Sequence, residues 1–373
     1  MTTLSKTNPS LAFGLSLLKQ EVAAATDKTK SVLLSPASVA IALAMTMNGA
    51  RDTTLAGMKT TLGYDPAESI DVINASLKSL LTTLTAQDTG VELNVANAVW
   101  AEQTMPFKPD FIQTVADNFD AQVTTSDFAD PATKDAINAW ASDKTKGKIP
   151  TIIEDISPDM VMFLLNAIYF KGPWSSKFDK AKTYDRTFTN FAGAASSVPF
   201  MNDEKSVRYV EDPAYTAVSL PFGKDGKVSL YLLLPADGTD IDTFVAGLSS
   251  EQLLAVKTGY KEEVLLSIPR FEVDYDTDLV ETLKSLGMEE ACSAGANLSG
   301  MADASMYIHM VKHKTYAKFD EEGGEAAAVT AVGVGLESVS FTPMFTADRP
   351  FVAAIVAEDT DTVLFLGKIA EVK

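Results

Sequence analysis

Along the first 160 residues apolar positions recur mostly every three or four places, the period of a helix with one buried face. Leu11, Leu15 and Leu18 set that spacing at the start. Ser35 and Pro36 supply a start signal for a helix through "SPASVAIALAMTMNGA", which stops at Asn48-Gly49. Leu77, Leu80, Leu81 and Leu84 share a face in the next long helical stretch, "DPAESIDVINASLKSLLTTLT". "PATKDAINAWASDKTKGKIP" predicts a further helix, closed at Lys146-Gly147 by a glycine cap. One stretch in this region, "VELNVANAVWAE", alternates and is β-branched, so it predicts a strand.

From about residue 161 the period changes. "MVMFLLNAIYFKGPW", "TAVSLPFG", "VSLYLLLPADG", "VLLSIPRFEVDY", "SMYIHMVKHKTYAKF", "PFVAAIVAED" and "TVLFLGKIAEV" all read as strands divided by Gly, Pro, Asp and Asn turns. Several are apolar on both faces, as in a large covered sheet. "TDLVETLKSLGM" predicts a late helix. There is no internal repeat and no Pro- or Ser-rich linker. Helices first and strands later, without strict alternation, predict an α+β fold built as one domain over residues 1–373.

Charge narrows the partners. The 373 residues carry 31 Lys and Arg against 50 Asp and Glu, a formal charge of −19. No basic cluster is present to neutralise phosphates, so neither nucleic acid nor an anionic membrane is expected as a partner. The single cysteine, Cys292 in "EEACSAG", forbids an intrachain disulfide and reads as a small core filler. The N-terminal stretch has helical spacing broken by Ser16 and Lys19 rather than the pattern of a signal peptide. The expected location is cytoplasmic, with a secreted form after processing left open.

The chemistry of an enzyme is hard to find. G-x-S-x-G, P-loop, G-x-G-x-x-G and H-E-x-x-H signatures are all missing from the sequence. The only two histidines, His309 and His313, are four apart. On the strand predicted there they would lie roughly 13 Å apart, too far to share a metal. No metal and no cofactor is expected.

One segment fits neither period. "EEGGEAAAVTAVGVGLESVS", Glu321 to Ser340, is too poor in large side chains for a buried strand and too rich in Ala and Val for a solvated linker. Its even positions, Gly324, Ala326, Ala328, Thr330, Val332, Val334 and Leu336, form an uncharged face that grows in size along the chain. The odd positions carry Glu325 and Glu337. Such a segment is compatible with a strand but not committed to one, because Gly, Ala and Glu are poor strand formers.

The run Glu321-Glu322-Gly323-Gly324-Glu325-Ala326-Ala327-Ala328-Val329-Thr330 resembles the hinge of the reactive-centre loop in inhibitory serpins. "LLSPASVAIALAM" (33–45), "INAWASDKTKGKIP" (137–150), "NAIYFKGPW" (166–174) and "RPFVAAIVAEDTDTVLFLGKI" (349–369) are similar to other motifs of that family, in the family's order and over essentially the whole chain. The resemblance implies the serpin fold, three β-sheets with eight or nine helices and an exposed loop at about 321–342. It also implies a monomer that inhibits a serine protease as a suicide substrate. After acylation the freed loop inserts as an extra central strand and the protease is trapped. Counting seventeen residues from Glu321, as the family does, places the reactive bond at Glu337–Ser338, with Leu336 as the runner-up anchor. Glu337 calls for a basic specificity pocket and so a glutamyl-specific protease; Leu336 would suit a chymotrypsin-like or subtilisin-like one. The resemblance also assigns Ser35, Ser38, Asn166 and His313 to a polar cluster where the sheet parts, the shutter. It assigns Trp174, Arg270 and Glu321 to the point where the loop starts in, the breach. Gly324 departs from the family's Thr or Ser. The alternative reading is a non-inhibitory serpin acting in binding, as a chaperone or in storage.

Overall fold

The computed structural model describes residues 9–85, 90–158, 160–324 and 342–372. In chain order its helices are α1 (Pro9–Ala24), α2 (Pro36–Met47), α3 (Asp52–Thr61), α4 (Ile70–Thr85), α5 (Pro109–Phe119), α6 (Pro131–Lys144), α7 (Ile241–Gly247), α8 (Ser250–Thr258) and α9 (Val280–Leu283). Its strands are β1 (Val32–Leu34), β2 (Glu92–Glu102), β3 (Ala121–Ser126), β4 (Met162–Pro173), β5 (Tyr184–Thr189), β6 (Ala195–Asp212), β7 (Tyr215–Phe222), β8 (Val228–Pro235), β9 (Tyr260–Pro269), β10 (Phe271–Asp278), β11 (Lys312–Asp320), β12 (Gly323–Gly324), β13 (Met344–Thr346), β14 (Phe351–Ala357) and β15 (Thr362–Ile369). None of the described helices is long and apolar enough to cross a membrane.

Two hydrogen-bonded networks organise the described strands. One runs β10-β11-β12-β4-β2-β3. The other runs β1-β15-β14-β8-β7-β6-β9-β13, with β5 also on β6. The second network is two sheets joined by one long strand. β6 pairs with β9 over residues 200–209 and turns to pair with β7 over 208–212. The hairpin of β14 and β15 is buried at every position, which is why both strands read as continuous apolar runs.

α2 begins where its sequence says it should. The Ser35 hydroxyl accepts from the Ser38 N–H at 3.4 Å and Pro36 takes the first turn. Almost every α2 side chain is buried, so the helix lies between the two networks, against β4 and β15. α6 ends at a left-handed turn, with Lys146 at φ 52° and Gly147 at φ 80°.

Three expectations are corrected. "SMYIHMVKHKTYAKF" is a strand only from Lys312 onward. Asp278 pairs with Lys312, and the chain then leaves β10 for α9, so residues 305–311 have no ladder on that side. "VLLSIPRFEVDY" divides at Arg270 into β9 and β10, which belong to different networks. "TDLVETLKSLGM" is helical only briefly; a wide turn over Lys284–Met288 follows α9, and Gly287 sits at φ 112°, outside helical space. The helices α3, α5, α7 and α8 and the strands β3, β5 and β6 add to what the sequence pattern predicts.

Candidate functional site

β11 ends at Asp320, and the chain turns back through Glu321 and Glu322 to form β12. Gly324 pairs with Phe319 on one side and with Gly172 on the other; Gly323 pairs with Asp320 and Pro173. β12 is antiparallel to both neighbours, so β11 and β4 run parallel to each other. No other ladder joins β11 to β4 among the described residues. Two glycines therefore bridge two long strands at one end only.

The sequence explains why glycine stands here. Gly323 has φ +136°, and a Cβ on it would come within 2.2 Å of the Gly172 carbonyl oxygen. Only a residue without a side chain fits. At Gly324 a Cβ would meet ring atoms of Phe170 at 3.3 Å and Phe319 at 3.5 Å, tight but not overlapping.

The turn is held from several sides. Trp174 stacks on Phe222 at 4.6 Å and 13°, and its Nε1 donates to the Asp320 carbonyl at 2.7 Å. The Trp174 N–H donates to the Glu322 carbonyl and the Phe178 N–H to that of Glu321. Arg270 donates to the Glu321 carboxylate at 2.6, 2.9 and 3.1 Å, and the Thr183 hydroxyl donates to it at 2.6 Å. Burial opposes ionisation of Glu321, but the bonds from Arg270 and Thr183 outweigh it and keep its pKa below the ordinary value. Glu322 is paired with Lys177 at 2.6 Å and Lys180 at 2.9 Å. The structure thus brings Trp174, Arg270 and Glu321 together. Lys177, Lys180 and Thr183 escaped the sequence reading; the only hint was the recurrence of lysine in "WSSKFDKAK" after Trp174.

Deeper between the strands lies a second polar group. The Ser35 N–H donates to His313 Nε2 at 2.9 Å, so Nε2 carries no proton. His313 is 5% exposed, and burial pulls its pKa down to about 4. Asn166 turns elsewhere: its Nδ2 donates to Asn97 Oδ1 at 2.6 Å, and Asn97 Nδ2 donates to the Phe119 carbonyl at 2.6 Å. That chain fixes which way the Asn166 amide points. Its Oδ1 is left buried with no hydrogen-bond partner among the described residues, an unusual state for a buried acceptor. Ser35, Ser38 and His313 are one cluster; Ser38 and His313 line a cavity of about 410 Å³ together with Asn166, Met162 and Met310.

His309 lies outside β11, and among the described residues no group of His, Cys, Asp or Glu is placed to hold a metal. Cys292 is buried, and burial raises its pKa to about 11. The positions Glu325, Ala326, Ala327, Ala328, Val329 and Thr330, and the proposed bait residues Leu336, Glu337 and Ser338, lie outside the described residues.

Comparison with known proteins agrees with this geometry. The family model "Serpin (serine protease inhibitor)" matches residues 9–372. Intracellular coagulation inhibitor 1 of Tachypleus tridentatus is 34% identical, over 98% of this chain and 88% of its own. The thermophilic serpin tengpin in its native state superposes with a TM-score of 0.89 at 30% identity, covering 100% of this chain and 96% of its own. Human thyroxine-binding globulin complexed with its hormone is equally close in shape, with a TM-score of 0.89 at 27% identity and 98% of both chains covered.

Proposed function

The chain belongs to the serpin family, and from that premise we propose that it inhibits a serine-type endopeptidase by suicide-substrate loop insertion. The observation that carries the reading is the seat of Gly323 and Gly324 between β11 and β4. Two parallel strands without a ladder of their own form a slot that an antiparallel strand completes, and the first two residues of such a strand are already in place.

The established pairs fix where the rest would go. Each two-residue step along an extended β12 moves two residues back on both neighbours. Ala326 would then fall between Ala317 and Phe170, Ala328 between Thr315 and Ile168, and Thr330 between His313 and Asn166. The inner face of the slot is crowded by Phe170 and Phe319 beside Gly324 and opens into the 410 Å³ cavity below. That profile matches the even face of the segment, which begins at Gly and Ala and grows to Val and Leu.

In this mechanism the protease serine attacks the Glu337 carbonyl, the Ser338 amine departs, and an acyl-enzyme forms on the loop. The freed loop continues β12 and carries the protease with it. A dozen new backbone hydrogen bonds at about 1 kcal/mol each, plus burial of the even face, supply a driving force on the order of 10 kcal/mol. The native state is then kinetically held. Glu337 directs the loop to a glutamyl-specific protease, with Leu336 as the bait for a chymotrypsin-like or subtilisin-like one.

Incubation with each of these proteases tests the proposal. The expected product is a denaturant-resistant covalent complex at near-unit stoichiometry, from which the fragment that begins at Ser338, carrying the buried β14–β15 hairpin, separates only on denaturation. Clean cleavage with no complex and no gain in thermal stability would instead make the chain a non-inhibitory serpin, a binding, chaperone or storage protein.

A further inference from the structure

The cavity of about 410 Å³ lies between α2, the start of β4 and residues 305–314. Its size is that of a small-molecule site, about 300–1,000 Å³. Five of the chain's 13 methionines line it, Met160, Met162, Met301, Met306 and Met310, so much of its apolar wall can move. Met160 and Met301 are buried and the other three half-buried. An unbranched thioether side chain repacks around an occupant at little cost. Tyr307, 42% exposed, also lines the cavity, which therefore reaches solvent.

The charge of the lining is opposite to that of the chain. The protein carries a formal −19, yet among the described residues no Asp or Glu lines the cavity, and Lys312 and Lys314 do. Both ammonium groups lean on one carboxylate, that of Asp276, at 2.7 and 3.6 Å. Asp278, opposite Lys312 on the ladder, has its Oδ1 taken by the Val280 and Val311 N–H groups. The two lysine side chains are only 23% and 20% exposed, so water screens them weakly. Two cations thus share one anion at the side of an apolar chamber. We propose that the cavity binds an amphipathic carboxylate of the fatty-acid class, its chain against the methionines and its head group taken by Lys312 and Lys314. Burial of the chain supplies affinity, and the lysines select the head group. The site is complete within the described residues and stands apart from the reading of the chain as an inhibitor. Under that reading, a bound carboxylate would also fill the ground below the slot and oppose a strand that enters it.

Titration calorimetry of the full chain at neutral pH tests this, with each probe held below its micelle concentration. Decanoate, 1-decanol and decyltrimethylammonium share one chain and differ in head group. The expected result is one decanoate site per molecule, at least tenfold tighter than for either of the other probes. The double variant Lys312→Gln with Lys314→Gln should bring decanoate down to the level of 1-decanol and leave 1-decanol binding as it was. Met306→Gln with Met310→Gln should weaken both probes at least tenfold. The melting temperature without ligand is the folding control for each variant. Equal binding of the three probes by the parent chain overturns the proposal, and that comparison needs no variant. So does decanoate uptake at several sites per molecule, or binding that both folded variants retain, because the contact is then adsorption to the surface.

Discussion

Arg270 holds the carboxylate of Glu321 through three contacts of 2.6 to 3.1 Å, yet the two partners live in different surroundings: the Glu321 side chain is 2% exposed and that of Arg270 43%. The pair closes the turn that leads from β11 into β12. Its removal is therefore felt unequally. Arg270→Ala leaves a buried carboxylate with Thr183 as the side-chain donor and a backbone N–H, and a loss of about 1–2 kcal/mol is expected after discounting for the exposed guanidinium. Glu321→Gln keeps acceptor and shape and should cost less. Glu321 has its folded pKa lowered, so its contribution is present above the ordinary carboxylate range and is lost as pH falls below it. Thermal melts of both variants at neutral and acidic pH check this; the gap between parent and Glu321→Gln should close in acid.

His313 sets a second acid limit. Unfolded, it takes up a proton near pH 6.5; folded, only near pH 4. The unfolded chain binds more protons across that window, so stability falls as pH drops from 6.5 to 4, by roughly 3 kcal/mol at most. A His313→Gln variant should lose that slope. Urea midpoints at half-unit steps of pH would show it, and a parental curve that is flat over the window removes the buried neutral histidine.

Thr330 should matter only after the loop is cut. In the inserted strand proposed above, Thr330 would fall between His313 and Asn166, whose buried Oδ1 has no hydrogen-bond partner among the described residues. Thr330→Val should leave the melting temperature of the intact chain unchanged and lower that of the cleaved chain, by about 1–2 kcal/mol in free energy. Equal effects on both forms would place Thr330 elsewhere.

Gly323 and Gly324 should fail in different ways. Gly323→Ala drives a Cβ against the Gly172 carbonyl and should unpair β12 in the native state, seen as faster amide exchange at Gly324. Gly324→Ala is expected to be tolerated, because the nearest ring atoms lie at 3.3 Å and beyond. Gly324→Arg puts a charge between Phe170 and Phe319 and should turn the inhibitor into a substrate, with at least tenfold less covalent complex per cleavage. If that variant still traps protease, β12 is not where insertion begins.

Much of the site was legible because its residues sit in stretches with strong local grammar. Ser35-Pro36 announced a helix start, whereas the nearness of Ser35 to His313 was expected only from the family resemblance, and the bond is made by the Ser35 backbone N–H. What stayed hidden depends on contacts between distant strands. Nothing local marks Asn97 as the residue that turns Asn166 away from His313, because the pairing of β2 with β4 decides it. Thr183 and Lys177 reach the turn only because the chain after β4 folds back over it. The overextended strand before Lys312 failed for the same reason: its alternation is good, but β10 ends at Asp278 and takes the partner away.

Gly323 and Gly324 are already registered against both neighbours while the loop is whole. Under the insertion mechanism proposed above, the connection onward to β13 would be what keeps the rest of the segment from following that first pair. In that mechanism any single cut in the segment would release the connection, whichever enzyme made it. If the chain inhibits as proposed, each molecule would act once, and a careless cleavage would disarm it as surely as a correct one. Protection by such a protein is therefore a matter of dose: the number of intact copies, set against the number of protease molecules, decides the outcome.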